Sequence, residues 1–309
     1  MAEMAPAWVV PAMRAGYAAR GLVYLIVGGI AVSSALRGGQ AEGTTGAIEA
    51  LRGASWGQVL LWVVALGLLA YAVWRGLSAW MDLERYGSDG KGLIARIGTA
   101  VSGVIHLGLA IYAARVALGG GGSGDSTESW TAKLMQMPAG RWLVVAVGVF
   151  VIGAGISYAH KGLSERYKRN LRNTELTQRL EPVCKAGLLA HGIAIGLIGC
   201  FFAYAGWTAD PSEAGGLEQA FQTVRQAAFG RILLALMGLG FVGFAVYCWI
   251  EAAYRIVPAR AGRAPGSMAT TSSSGAWSRP LRPWAMHRTI CHCMPRRTTG
   301  RVPASASGG

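Results

Sequence analysis

The sequence predicts an all-α membrane protein, with six transmembrane helices forming three parallel two-helix repeats in a pseudo-threefold bundle. Three observations lead there. Of the 309 residues 52% are hydrophobic and only 14% charged, and the mean hydropathy is +0.36, a composition foreign to soluble domains. Six apolar runs are each long enough to cross a bilayer, which needs about 20 residues. Three of these runs open on one pattern, RAGYAARGLVY from Arg14, RIGTAVSGVIH from Arg96 and KAGLLAHGIAI from Lys185. Each has a basic residue, a glycine two positions on and another glycine seven on.

The runs are centred on residues 14–36, 58–77, 97–117, 142–160, 186–207 and 231–254. Helix is the required form, because a lone strand would leave its backbone groups unpaired in hydrocarbon and the runs lack the alternation of barrel strands. The N-terminal MAEMAPAWVVPAM has no basic region ahead of a long apolar core, so no cleavable signal peptide is expected and the first run is read as an anchor.

The marker glycines Gly16, Gly98 and Gly187 set an internal period. In the second run of each pair, Gly67, Gly153 and Gly243 are followed eight residues on by Arg75, Lys161 and Glu251, an apparent second register mark. Between the runs, AIEALRGASWGQ, TAKLMQMPAGR and FQTVRQAAFGR each read as a short amphipathic helix ending at Gly57, Gly140 or Gly230. One unit is therefore a membrane helix, an interfacial helix and a return helix, over residues 12–83, 94–168 and 183–256. Two crossings restore the direction of the chain, so the three units are parallel repeats related by rotation about the membrane normal. Close backbone approach is expected at glycines such as Gly192 and Gly196.

Charge supplies the orientation. On the side that holds the N-terminus lie 22 of the 29 Lys and Arg, against 7 on the other side, so both termini are expected in the cytoplasm. The net charge of +14 is then an orientation signal with expected contact to anionic lipids at the cytoplasmic face, and nucleic acid is not an expected partner. Tryptophans Trp56, Trp62, Trp74, Trp80, Trp142, Trp207 and Trp249 fall near span ends, as an aromatic belt would. Residues 257–309, rich in Arg, Ser, Pro and Gly, read as a disordered basic cytoplasmic tail, in which His287, Cys291, His292 and Cys293 match no standard zinc spacing.

The triplicated opening, the paired runs and the closing GRW or GRI resemble the bacterial membrane proteins of domain-of-unknown-function family 1206, over roughly residues 12–256. The resemblance implies a multi-pass plasma-membrane protein of repeated two-helix units. It supplies no catalytic residue, cofactor or protein partner.

Positions one, four and eight after each marker glycine share one helix face. They are Tyr17, Arg20 and Tyr24 in the first repeat, Thr99, Ser102 and His106 in the second, and Leu188, His191 and Ile195 in the third. Such a polar face entering a membrane is expected to look into the bundle. Arg20, Tyr24, Ser102, His106 and His191 are thus the candidate lining of a polar vestibule, with His106 near mid-membrane and suited to proton relay, and Arg20 to an anion. The other reading is interhelical hydrogen bonding in a sealed core. Arg75 and Lys161 read as cytoplasmic anchors, and Glu251 as paired with Arg255 one turn on or with a base of another repeat.

No metal-binding His pair, nucleophile elbow or phosphate loop occurs, so no enzyme, metal or cofactor is expected. Two functions remain: a pathway for a small solute, anion or proton, and a structural or partner-binding membrane module.

Overall fold

The computed structural model describes residues 6–120 and 127–256. The six long helices are α1 (Val9–Arg37), α3 (Gly57–Met81), α4 (Gly90–Ala117), α6 (Gly140–Leu163), α8 (Glu181–Thr208) and α10 (Gly230–Tyr254). Shorter helices join them: α2 (Thr44–Ala50), α5 (Thr127–Met135), α7 (Glu175–Arg179) and α9 (Leu217–Gln226). All six long helices are long and apolar enough to span a bilayer, and the chain is a multi-pass, all-α membrane protein. The expected disordered tail, with its His and Cys residues, lies outside the described residues.

The helices follow one another around a ring in chain order. Helix α1 packs on α3, α3 on α4, α6 on α8, α8 on α10, and α10 closes back on α1. The closest packing joins the second helix of one repeat to the first helix of the next, at α3·α4, α6·α8 and α10·α1. The pseudo-threefold arrangement holds in this sense and fails in one place. Helices α1 and α3 pack directly, as do α8 and α10, but α4 and α6 barely meet. These two also bury the smallest shares of their membrane-crossing segments, 28% and 17% against 33% to 56% in the others.

Glycine explains the difference. A methyl group added at Gly16 would lie 2.6 Å from the Tyr71 main chain, and one at Gly187 would lie 2.3 Å from that of Phe244, so neither backbone contact admits a side chain. At the matching Gly98 the nearest atom is the tip of the Phe150 ring, 3.7 Å away. The second repeat is held open by an aromatic side chain where the other two are zipped backbone to backbone. The seam α6·α8 is the opposite case: Gly148, Gly155, Gly192 and Gly199 bring its two backbones together, with added methyls only 2.4–2.7 Å from facing main-chain atoms.

The starts of α3, α6 and α10 fix the true register of the second spans. At Gly57, Gly140 and Gly230 a Cβ would stand 1.8, 2.1 and 1.9 Å from the carbonyl oxygen of Leu51, Leu134 and Arg225, so only glycine fits where the chain turns into the membrane. Counted from those glycines, Tyr71 matches Phe244, Arg75 matches Tyr158 and Cys248, and Ser78 matches Lys161 and Glu251. The sequence register through Gly67, Gly153 and Gly243 is therefore wrong by one helical turn in the first repeat. Gly67 corresponds to Gly240: each would press a methyl onto an alanine of the partner span, Ala19 at 2.2 Å and Ala190 at 2.3 Å. In a chain with 45 glycines, an eight-residue interval recurs without marking equivalence.

Candidate functional site

Arg20 occupies the middle of the ring, 4% exposed. Every long helix contributes to its surroundings. The guanidinium lies 5.4, 5.1 and 4.9 Å from the ring centres of Tyr24 (α1), Tyr71 (α3) and Phe244 (α10). It donates to Tyr71 Oη at 2.9 Å, and its Nη2 approaches His191 Nε2 (α8) at 3.4 Å. His191 stacks on Phe244 with ring centres 3.9 Å apart and meets Tyr24 and Tyr158 (α6) edge-on at 5.0 and 4.9 Å. His106 (α4), 7% exposed, stands 4.5 Å from the Tyr71 ring.

Charge and tautomer follow from these contacts. Among the described residues no carboxylate forms an ion pair with Arg20. Removing a cation from water costs several kcal/mol, and aromatic faces return about 0.5 to 2 kcal/mol each, so the charge is cushioned but not neutralised. A guanidinium only donates, hence His191 Nε2 accepts from it and the His191 proton sits on Nδ1. That Nδ1 and the Nε of Arg20 are buried and have no hydrogen-bond partner. His106 Nδ1 lies 2.7 Å from the Ser102 carbonyl oxygen, which only accepts, so Nδ1 of His106 also carries its proton.

Of the five residues expected to line a vestibule, Arg20, Tyr24, His106 and His191 come together. Ser102 is half-buried and joins the cluster only through that main-chain carbonyl. The centre is closed rather than open to water, since Arg20, His106 and His191 are each buried. Tyr71, Tyr158 and Phe244 were not anticipated. They lie on the second spans, whose register Gly67 obscured, and counting from Gly57, Gly140 and Gly230 would have placed Phe244 opposite Gly187 as Tyr71 is opposite Gly16.

A second, ionic cluster lies at the end of the ring where α3 and α10 finish. Glu84 Oε1 accepts from Arg75 at 3.1 Å and from Arg255 at 2.8 Å. Arg255 also pairs with Glu251, one turn before it, and donates to Tyr17 Oη at 3.2 Å. Tyr247 donates to Glu251 and accepts from Lys161 Nζ at 2.8 Å. Glu251 thus pairs with Arg255 and, through a tyrosine, with a base of the second repeat. Arg75 is not merely an interface anchor, because its side chain is only 12% exposed and ends on Glu84.

Burial alone would raise the pKa of Glu84, but Arg255, Arg75 and Lys161 outweigh it and hold the carboxyl down to about 2. At the half-buried Glu165, hydrogen bonds from Lys168 and Lys185 likewise lower the carboxyl to about 2. Tyr71 links the two clusters: its hydroxyl accepts from Arg20 while Arg75 lies 6.0 Å from its ring centre.

The tryptophans divide. Trp56, Trp80, Trp142 and Trp207 are more than half exposed, in keeping with an aromatic belt, whereas Trp74 is 1% exposed and packs beneath Arg255 at 5.8 Å. Trp74 is a core residue because α3 turns it toward Tyr17 and Tyr247 instead of toward lipid.

Comparison with known proteins finds one family three times along the chain. The family described as Domain of Unknown Function (DUF1206) matches residues 15–82, 97–165 and 186–255. An uncharacterised protein of Bacillus subtilis (strain 168), YxxB, is 29% identical over 252 residues, covering 80% of this chain and 92% of that relative. No solved structure is significantly similar. With three tandem matches that run from within α1 to just past the end of α10, the chain belongs to the DUF1206 family.

Proposed function

We propose that this is a bacterial plasma-membrane protein with both termini in the cytoplasm that binds a small monovalent anion at Arg20, as the central station of a pathway across the bundle. One observation carries the reading: a guanidinium enclosed by all six membrane helices has no carboxylate partner among the described residues, while its Nε and the Nδ1 of His191 are buried without acceptors. One unneutralised positive charge suits one negative charge, and an N–H donor left unpaired costs about 1 to 3 kcal/mol, which an anion would return. The closed ring requires a small ligand. The loosely packed seam between α4 and α6 is where opening disturbs the least packing. The protein is not an enzyme in this reading, and the excess of Lys and Arg at the cytoplasmic end faces anionic lipid.

The burial of Arg20, His106 and His191 favours a second reading, a sealed structural or partner-binding module. Proteoliposomes separate the two. The wild-type chain, Arg20→Gln and His106→Ala would be compared for uptake of chloride, nitrate, formate and bicarbonate, with size-exclusion profiles in detergent as the check on folding. The anion reading expects flux that Arg20→Gln abolishes in a well-folded protein. Absence of flux for every anion, with variants that change only stability, would establish the sealed module.

A further inference from the structure

At the end of the ring that carries the ionic cluster, Trp74 of α3 and the stretches of chain that follow α3, α6 and α10 line a cavity of about 160 Å³. Arg85, Arg169, Asn170, Arg255, Glu84 and Trp74 contribute to its walls. The first repeat gives Trp74, the link that follows it Glu84 and Arg85, the link after the second repeat Arg169 and Asn170, and the third repeat Arg255.

The walls are firmly built. An isolated antiparallel bridge pairs Leu171 with Arg255, flanked by hydrogen bonds from Arg172 N to Tyr254 O at 2.9 Å and from Ile256 N to Asn170 O at 2.8 Å. Arg85 follows a turn in which its amide donates to Asp82 O at 3.0 Å, and it holds a left-handed backbone angle of φ +57°. That conformation favours glycine and is costly for a long side chain. A glycine there would be easier to fold, but it would not place a guanidinium on the cavity wall.

The charges divide into spent and unspent. Glu84 and Arg255 are consumed by their contacts with Arg75, Glu251 and each other. Arg85 and Arg169 form no ion pair or side-chain hydrogen bond among the described residues, and both are exposed. The indole N–H of Trp74, a residue 1% exposed, is buried with no acceptor. Two free guanidinium forks, an amide and an apolar flank formed by Leu83 and Ile256 fit a compact dianion better than a carboxylate, because each planar fork can take two oxygens of a tetrahedral group.

We propose that this cavity binds a phosphate monoester group, held between Arg85 and Arg169. Two sources share that chemistry: a lipid headgroup reached from the adjoining membrane surface, and a soluble phosphate.

Calorimetric titration of the full chain in neutral detergent tests it, using inorganic phosphate, glycerol phosphate, short-chain phosphatidic acid and short-chain phosphatidylcholine. The expected result is binding of the phosphate monoesters, weakened about tenfold or more by Arg85→Gln and by Arg169→Gln, partly retained in Arg85→Lys, and unchanged in Arg14→Gln, which removes a charge at the same end outside the cavity. Binding of phosphatidic acid well above glycerol phosphate assigns the lipid source, and equal binding assigns the soluble one. No heat with any phosphate, or equal losses in Arg14→Gln and Arg85→Gln, overturns the proposal. Arg20→Gln leaves this binding intact, so failure of the central anion site and failure of this one are told apart.

Discussion

Arg255 Nη2 meets Glu84 Oε1 at 2.8 Å across 171 residues of chain, fastening the loop that ends the first repeat to the residue that ends the third. Both side chains are almost wholly buried, at 4% and 8% exposure. Removing the carboxylate leaves the Arg75 side chain, only 12% exposed, without an ion-pair partner, while Arg255 keeps Glu251, so Glu84→Gln is expected to destabilise the protein by roughly 3–5 kcal/mol. Thermal unfolding in detergent checks this. Replacing Arg75 and Glu84 together with Met and Leu should cost clearly less than Glu84→Gln alone, since Arg255 keeps Glu251 and no charge is then left unpaired.

Acid should reveal the same pair. The Glu84 carboxyl titrates near 2 rather than its ordinary 4.5, so its contribution is complete above about pH 4.5 and fades as pH falls toward 2. The shift corresponds to roughly 3 kcal/mol. Between pH 5 and 2.5 the wild-type unfolding midpoint should fall further than that of Glu84→Gln. Equal slopes would show that Glu84 is not held ionised.

The zipped and the propped repeats should respond differently to one methyl group. Gly16→Ala and Gly187→Ala push a Cβ into main-chain atoms of Tyr71 and Phe244, and each should cost about 1–3 kcal/mol. Gly98→Ala meets only a ring tip at ordinary contact distance and should stay within about 0.5 kcal/mol of wild type. Melting temperatures of the three variants decide it.

The central cluster assigns protons that nitrogen NMR can read. With ring nitrogens labelled, His191 and His106 should both appear as the Nδ1-protonated tautomer, the first because Arg20 occupies Nε2 and the second because Ser102 O takes the Nδ1 proton. Arg20→Gln should disturb the His191 signal and spare that of His106. An Nε2-protonated His191 in the wild type would contradict the Arg20 contact.

Orientation is open to a labelling test. Cysteines introduced at Ser88 and Ser164 should be protected from an impermeant thiol reagent in intact cells, and those at Ser55 and Ser212 should be labelled. The reverse pattern would place the termini outside.

The sequence carried the six spans and most of the buried polar face, because hydropathy and an eleven-residue motif are local signals. It misplaced the second spans because glycine spacing within one helix says nothing about which backbone it must touch. Tyr71 and Phe244 became equivalent only through the glycines that press on them from α1 and α8. Glu84 was illegible for a related reason: a lone acid in a loop shows its importance only when Arg75 and Arg255 converge on it. Trp74 was assigned to the belt by its distance from a span end, whereas its facing is set by the turn at Gly57 that starts α3.

Arg20 comes from the first repeat alone; the matching positions of the others hold Ser102 and His191. A symmetric homotrimer of identical hairpins would be obliged to gather three equal side chains there, and three guanidiniums in so small a dry space would drive one another apart. Fusing the hairpins into one polypeptide frees each copy to differ. Lone positive charge at the hub is thus a property that only a heterogeneous, single-chain version of this architecture can possess.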